Sequence, residues 1–135
     1  MKKIALSVGA ALAASVVSTG PVALASDRPT AKAIRLESGG SNYLPLLQGP
    51  PETVSMRSGL VTLAPGKSVG KHSTKGNEEM LVVLDGRGEM RITGGATLPF
   101  GKETALYCPP NTEHDVVNTG TATLRYVYVV SKAAN

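Results

Sequence analysis

The chain is poor in aromatic residues and lacks clusters of basic ones. Its 135 residues include no Trp, one Phe and four Tyr, so few rings are available for stacking on nucleic-acid bases. The net charge of +4 owes two units to Lys2 and Lys3, which we assign below to a leader; without them 12 basic residues face 10 acidic ones. Lys and Arg do not alternate with aromatics. We therefore predict no nucleic-acid partner.

Cysteine is nearly absent too. Cys108 is the only one, so an intrachain disulfide is excluded and the fold must be held by its core or by a partner subunit. Cys108 precedes Pro109 and leads toward a histidine. It is interpreted either as a small buried hydrophobe, the usual role of a free thiol, or as a group that approaches a binding pocket.

The N-terminus has the order of a secretory signal peptide. Basic residues at positions 2 and 3 precede an apolar run over 4–17, and small residues end at Ala25. This pattern predicts cleavage between Ala25 and Ser26 and an exported protein, periplasmic or secreted. The apolar run is shorter than the roughly 18 residues of a membrane span, so we expect no stable membrane insertion after cleavage; a retained anchor is the alternative.

Beyond the leader, fifteen Gly and nine Pro separate short runs rich in Val, Leu, Thr, Ile and Tyr. This pattern is typical of strands joined by tight turns, and no ten-residue amphipathic helix is evident. The predicted strands are 31–37, 54–63, 79–84, 88–93, 103–108, 114–118 and 122–130. Their number and spacing indicate an all-β fold, an antiparallel barrel or sandwich.

Residues 38–53 interrupt this spacing with glycines and prolines. We interpret them as a loop or arm, in which Tyr43, Leu44, Leu46 and Leu47 either cover a barrel opening or pack on a second subunit. The predicted organisation is a signal peptide over 1–25, an N-terminal arm or edge strand over 26–53, and a β-barrel domain over 54–135.

The two histidines of the chain, His72 and His114, lie where metal ligands could cluster. In a strand, residues two apart share a face, so Glu79 is in phase with Leu81 and Val83. If those apolar residues face the interior, Glu79 does too and its neighbour Glu78 faces out. By the same spacing Thr74 shares a face with His72. The residues therefore predict a cluster of His72, Glu79 and His114 inside the barrel.

The spacing around His72 resembles the first motif of the cupin superfamily. That motif runs glycine, five residues, His-x-His, three or four residues, glutamate, six residues, glycine. Here Gly66, His72, Thr74, Glu79 and Gly86 stand at those positions. Thr74 thus stands in place of the second histidine of the motif.

The second cupin motif is proline, x, glycine, two residues, histidine, three residues, asparagine. Pro109, Asn111, His114 and Asn118 stand at those intervals, with Asn111 in place of the turn glycine. Asn is the residue besides Gly that best tolerates a left-handed turn. A glycine that usually precedes this motif is replaced by Glu103. The resemblance covers about 54–130.

The resemblance implies a single cupin-type antiparallel β-barrel, or jelly roll, that binds a divalent metal, Fe, Mn, Ni or Zn. The ligands it implies are His72, Glu79 and His114, with Thr74 as a candidate fourth. A small polar molecule is then the expected ligand, and the activity would be that of a metal-dependent oxygenase, isomerase or lyase. Cupins also pair, so a homodimer is an expectation.

Two alternatives stay open. In one, the three residues hydrogen-bond to one another without metal. In the other, Thr74 marks a degraded metal site in a non-catalytic small-molecule-binding or assembly module.

Overall fold

A computed structural model describes residues 28–134, so the predicted leader and its cleavage site lie outside the described residues. Within 28–134 all regular structure is β, and no helix there is long and apolar enough to cross a membrane. The strands are β1 Tyr43–Gln48, β2 Arg57–Leu63, β3 Asn77–Asp85, β4 Gly88–Ile92, β5 Thr97–Phe100, β6 Ala105–Cys108, β7 His114–Val117 and β8 Leu124–Lys132.

The strands form two antiparallel sheets that face each other as a jelly-roll barrel, as predicted. The five-stranded sheet has the order β1-β2-β8-β3-β6, and the three-stranded sheet has the order β5-β4-β7. Isolated bridges from Ser68 to Val117 and from His72 to His114 place residues 68–72 beside β7, at the free edge of the smaller sheet. The cupin spacing therefore brings the loop of the first motif against the strand of the second.

Alternation along the strands builds the core between the sheets. In β3 the side chains of Glu79, Leu81 and Val83 are buried, whereas Met80 and Val82 face solvent. The predicted phase of Glu79 with its apolar neighbours is therefore confirmed. The buried cluster consists of Val61, Leu63, Leu81, Val83, Met90, Phe100, Leu106, Cys108, Val116, Leu124 and Tyr126.

Ahead of β2, the structure corrects the predicted strand over 31–37 and the predicted loop or arm over 38–53, which contains β1. Residues 31–37 form no strand; they are tied instead by a hydrogen bond from the Arg125 guanidinium of β8 to the Leu36 carbonyl, at 3.0 Å, and by an ion pair from Lys32 to Glu52, at 2.7 Å. The strand lies further on, in β1, which pairs with β2 at the edge of the larger sheet. Its register shifts after Pro45, as expected where a residue without an N–H enters an edge strand.

β5 was not predicted from the sequence. It pairs with β4 at an edge of the smaller sheet and contains Pro99. The six remaining predicted strands correspond to β2, β3, β4, β6, β7 and β8 with shifted ends. The substituted turn positions adopt the left-handed conformation that the family's glycines would allow, with φ of 58° at Asn111 and 63° at Glu103.

Candidate metal centre

The two imidazoles are brought together by backbone pairing. The His72 N–H donates to the His114 carbonyl at 2.9 Å, and the His114 N–H donates to the His72 carbonyl at 2.8 Å. This reciprocal pair sets the two residues directly opposite each other on neighbouring segments. Their rings lie 4.4 Å apart, centre to centre, at an angle of 54°.

Glu79 reaches the same point from the opposite sheet. Its side chain is 7% exposed, and its Oε2 atom lies 3.1 Å from Nε2 of the fully buried His114. One ligand atom from each of His72, Glu79 and His114 falls within 4.8 Å of the other two. Glu78 points away, as predicted, and accepts a hydrogen bond from the exposed Tyr107 hydroxyl at 3.1 Å.

The outer hydrogen bonds of both imidazoles orient the inner nitrogens. Nδ1 of His72 lies 2.9 Å from the Gly70 carbonyl oxygen, and Nδ1 of His114 lies 3.2 Å from that of Thr112. A carbonyl only accepts, so we assign the proton of each neutral ring to Nδ1. Each Nε2 then has a free lone pair, the arrangement usual for a metal-bound histidine whose second nitrogen is held by the backbone.

The atoms at the centre of the cluster lack partners. Glu79 Oε2 and His114 Nε2 are both buried, and neither makes a hydrogen bond, because their 3.1 Å separation does not have hydrogen-bond geometry. With the proton of a neutral His114 on Nδ1, two acceptors, Glu79 Oε2 and His114 Nε2, face each other. A proton or a metal ion shared by these atoms would satisfy both, and the donor set of two imidazoles and one carboxylate fits a divalent metal.

Charge and burial act on the neighbouring groups. The Glu79 carboxylate would accept a hydrogen bond from Nε2 of a protonated His114 and so raises the pKa of that imidazole above its ordinary value, and burial opposes the shift. Burial raises the pKa of the Cys108 thiol, and the charge of Glu79 adds to the effect. Cys108 is fully buried, with Sγ 3.2 Å from His114 Nδ1. The thiol is therefore a neutral packing group behind His114, in agreement with the buried interpretation.

Thr74 lies at the edge of the cluster. It lines the same cavity as His72 and Glu79, and its hydroxyl donates to the Asn77 carbonyl at 2.9 Å. That bond uses the proton of the hydroxyl and leaves its oxygen lone pairs available. Its role as a fourth ligand stays a prediction.

The cluster opens into a cavity of about 370 Å³. Tyr126 and Tyr128 of β8 line it together, as their shared face predicted, and Tyr43 of β1 joins them in the wall. Four valines of the wall were not predicted, although the period of two from Tyr126 through Tyr128 would have indicated Val130. They are Val61, Val69, Val116 and Val130.

A jelly-roll barrel with a His/Glu/His cluster at its mouth defines the cupin class. The cupin domain family, Cupin_2, matches residues 59–130, more than half of the chain, and the chain belongs to this family. The comparison with curated proteins finds no match.

Solved structures share the fold. A Cupin 2 conserved barrel domain protein from Salinispora arenicola has 26% identity and a TM-score of 0.63 over 77% of this chain and 92% of its own. The Cnp3 cupin domain of Schizosaccharomyces pombe has 20% identity and a TM-score of 0.61 over 67% of this chain; the match spans 64% of that domain, less than two thirds of its length. A predicted oxalate decarboxylase from Thermotoga maritima has 18% identity and a TM-score of 0.55, over 74% of this chain and 100% of its own.

Proposed function

We propose that the chain is an exported single-domain cupin that binds one divalent metal through His72, Glu79 and His114 and a small molecule beside it. The observation that supports this most is the convergence of two buried atoms without hydrogen-bond partners, Glu79 Oε2 and His114 Nε2, on the side of the cavity where His72 lies. The leader pattern of residues 1–25 supports export.

The activity we propose is that of a metal-dependent oxygenase, isomerase or lyase. A divalent metal in this site would supply a Lewis acid with coordination positions left for a ligand. The protein's own part is to fix the two imidazole rings through the carbonyls of Gly70 and Thr112, with Nε2 of His114 beside Glu79, and to limit the access of water to Glu79 and His114.

Metal content tests this proposal. We expect the purified mature protein to bind about one Fe²⁺, Mn²⁺, Ni²⁺ or Zn²⁺ per chain, and His114→Ala to bind none, because loss of an imidazole leaves too few donors. Titration with each ion followed by elemental analysis measures it. Since His114 is buried, His72→Ala serves as a second variant at an exposed position. A parent protein that binds no ion stoichiometrically would sink the proposal.

Thr74 supports a second candidate, a non-catalytic binding module whose metal site is weakened. Thr74→His separates the two. On a degraded site the added imidazole should raise metal affinity at least about tenfold, because it adds a strong donor. On a site that works with an open position it should instead lower turnover or ligand binding. Metal titration and ligand binding on the same sample distinguish these outcomes, and no change in either would contradict both interpretations of Thr74.

A further inference from the structure

We propose that the cavity beside the metal cluster binds a molecule with a flat apolar ring and one ring hydroxyl, a phenol or an enol, in preference to a small dicarboxylate. The inference rests on the proposed function, which it deepens, and it narrows the expected small polar molecule to a mainly apolar one. Three features of the cavity lead to it: a tyrosine pair, the charges of the lining, and the size.

The tyrosine pair forms an aromatic wall of the cavity. The hydroxyls of Tyr43 and Tyr128 share a hydrogen bond at 2.8 Å, and their rings are nearly parallel, at 11°, with centres 6.4 Å apart. This hydrogen bond uses one of the two hydroxyl protons, and the two rings add apolar surface to a cavity that four valines also line. Such surfaces favour stacked or edge-on contacts with another ring.

Gly59 makes this wall possible. It lies in β2, between the strands that carry the two tyrosines, and a Cβ there would approach the ring of Tyr43 to 2.7 Å and that of Tyr128 to 2.8 Å. The rings therefore close over a position without a side chain. Tyr43 comes from the segment ahead of the barrel, so that segment contributes to the wall of the site as well as to the sheet.

The charges of the residues that line the cavity favour a ligand with one negative charge over a ligand with two. Among the described residues that line the cavity none is Lys or Arg, and Glu79 is the only acidic one. A divalent metal held by two neutral imidazoles and one carboxylate has one net positive charge. An ionised phenol or enol oxygen matches it, whereas a dicarboxylate leaves a surplus negative charge against valines, where an unpaired charge is costly to bury.

Basic residues occur close by but outside this cavity. Arg57 and Lys75 line an adjoining depression that meets the cavity at Thr74, Tyr128 and Val130. The volume of about 370 Å³ lies in the range of small-molecule pockets and accommodates a ring compound. A molecule of oxalate size would fill little of it and would leave the valine and tyrosine surfaces in contact with water.

The test compares 4-nitrophenol with oxalate by titration calorimetry, on zinc-loaded and on metal-free protein. We expect Tyr43→Ala to weaken the binding of 4-nitrophenol about tenfold and that of oxalate less than about twofold, because only the ring loses a stacking partner. Tyr43→Phe keeps the ring and should stay within about threefold of the parent. Tyr107→Ala, which removes an exposed tyrosine outside this cavity, is the matched control.

The inference is overturned if oxalate binds the parent more tightly than 4-nitrophenol does, or if Tyr43→Ala leaves 4-nitrophenol binding unchanged while its thermal melt stays that of the parent. The metal content of the same samples tests the proposed function separately. If no metal binds, that function fails, and the metal-free titrations still show whether the tyrosine wall selects a ring. If metal binds and the ring preference is absent, only this inference fails.

Discussion

Replacing Asn118 by Ala should lower the free energy of unfolding by about 3–5 kcal/mol, a large loss for a domain of this size. The residue is fully buried, and both amide protons and the amide oxygen make hydrogen bonds. Its Nδ2 donates to the carbonyls of Leu63 and Ala122, both at 2.9 Å, and its Oδ1 accepts from the Gly120 N–H at 2.9 Å. Truncation leaves three backbone groups without their partner.

Urea denaturation of the purified variant measures this loss. Asn118→Asp tests the cause, because a carboxylate of nearly the same shape cannot donate to the carbonyls of Leu63 and Ala122 and should also destabilise. Thr119→Ala, at the exposed neighbouring position, should stay within about 0.5 kcal/mol of the parent. A loss below about 1 kcal/mol in Asn118→Ala would mean that water replaces the side chain at little cost.

The parts of the fold that the sequence predicts are those in which a period of two coincides with burial. β3 shows this most clearly, because one phase contains Glu79, Leu81 and Val83 and the other contains the exposed Met80 and Val82. Once that phase is assigned, the inward direction of Glu79 follows without knowledge of any other strand. The motif intervals supply what alternation does not, namely that two loops distant in sequence meet.

Edge strands escape this reasoning. β1 and β5 each contain a proline and each lie at the edge of a sheet, where one side of the backbone pairs with nothing in the same sheet. A proline argues against a strand only where both sides must pair. The position of a strand within its sheet is a tertiary property, so Pro45 indicates a break in the sequence pattern although the edge of the sheet tolerates it.

Residues 31–37 show the reverse error, a strand that the sequence predicts and the structure does not form. Apolar and charged residues are interleaved there as in a half-buried strand, but the segment is fastened by side chains, through Arg125 and Lys32, and not by a ladder of backbone hydrogen bonds. Similarly, the contact of Tyr43 with Tyr128 across Gly59 depends on the register of three strands. Composition and spacing predict which residue types meet a pocket, whereas register decides which individual rings touch.

The adjacent carboxylates Glu78 and Glu79 offer the sharpest test of the metal centre, because they differ in environment and not in chemistry. Glu79→Gln should weaken divalent-metal binding about a hundredfold or more, since the loss of even an outer-shell partner costs about ten- to a hundredfold. At a pH above the raised pKa of His114, where that imidazole is neutral, the same change should leave the metal-free protein as stable as the parent, or more stable by up to about 1 kcal/mol, because it removes a buried carboxylate oxygen without a hydrogen bond.

Glu78→Gln is the matched control. Its side chain lies on the outer face of β3, and an amide oxygen there can still accept the hydrogen bond from Tyr107, so metal affinity and stability should both stay close to those of the parent. Metal titration measures the metal affinity of both variants, and thermal melts with and without a chelator measure their stability. Glu79→Gln is therefore expected to weaken metal binding while leaving the stability of the metal-free protein unchanged or higher, and this contrast identifies a metal ligand. If Glu79 served only the packing of the barrel, its replacement would destabilise the protein with and without metal. If Glu79 is a metal ligand, its replacement destabilises only the metal-bound protein.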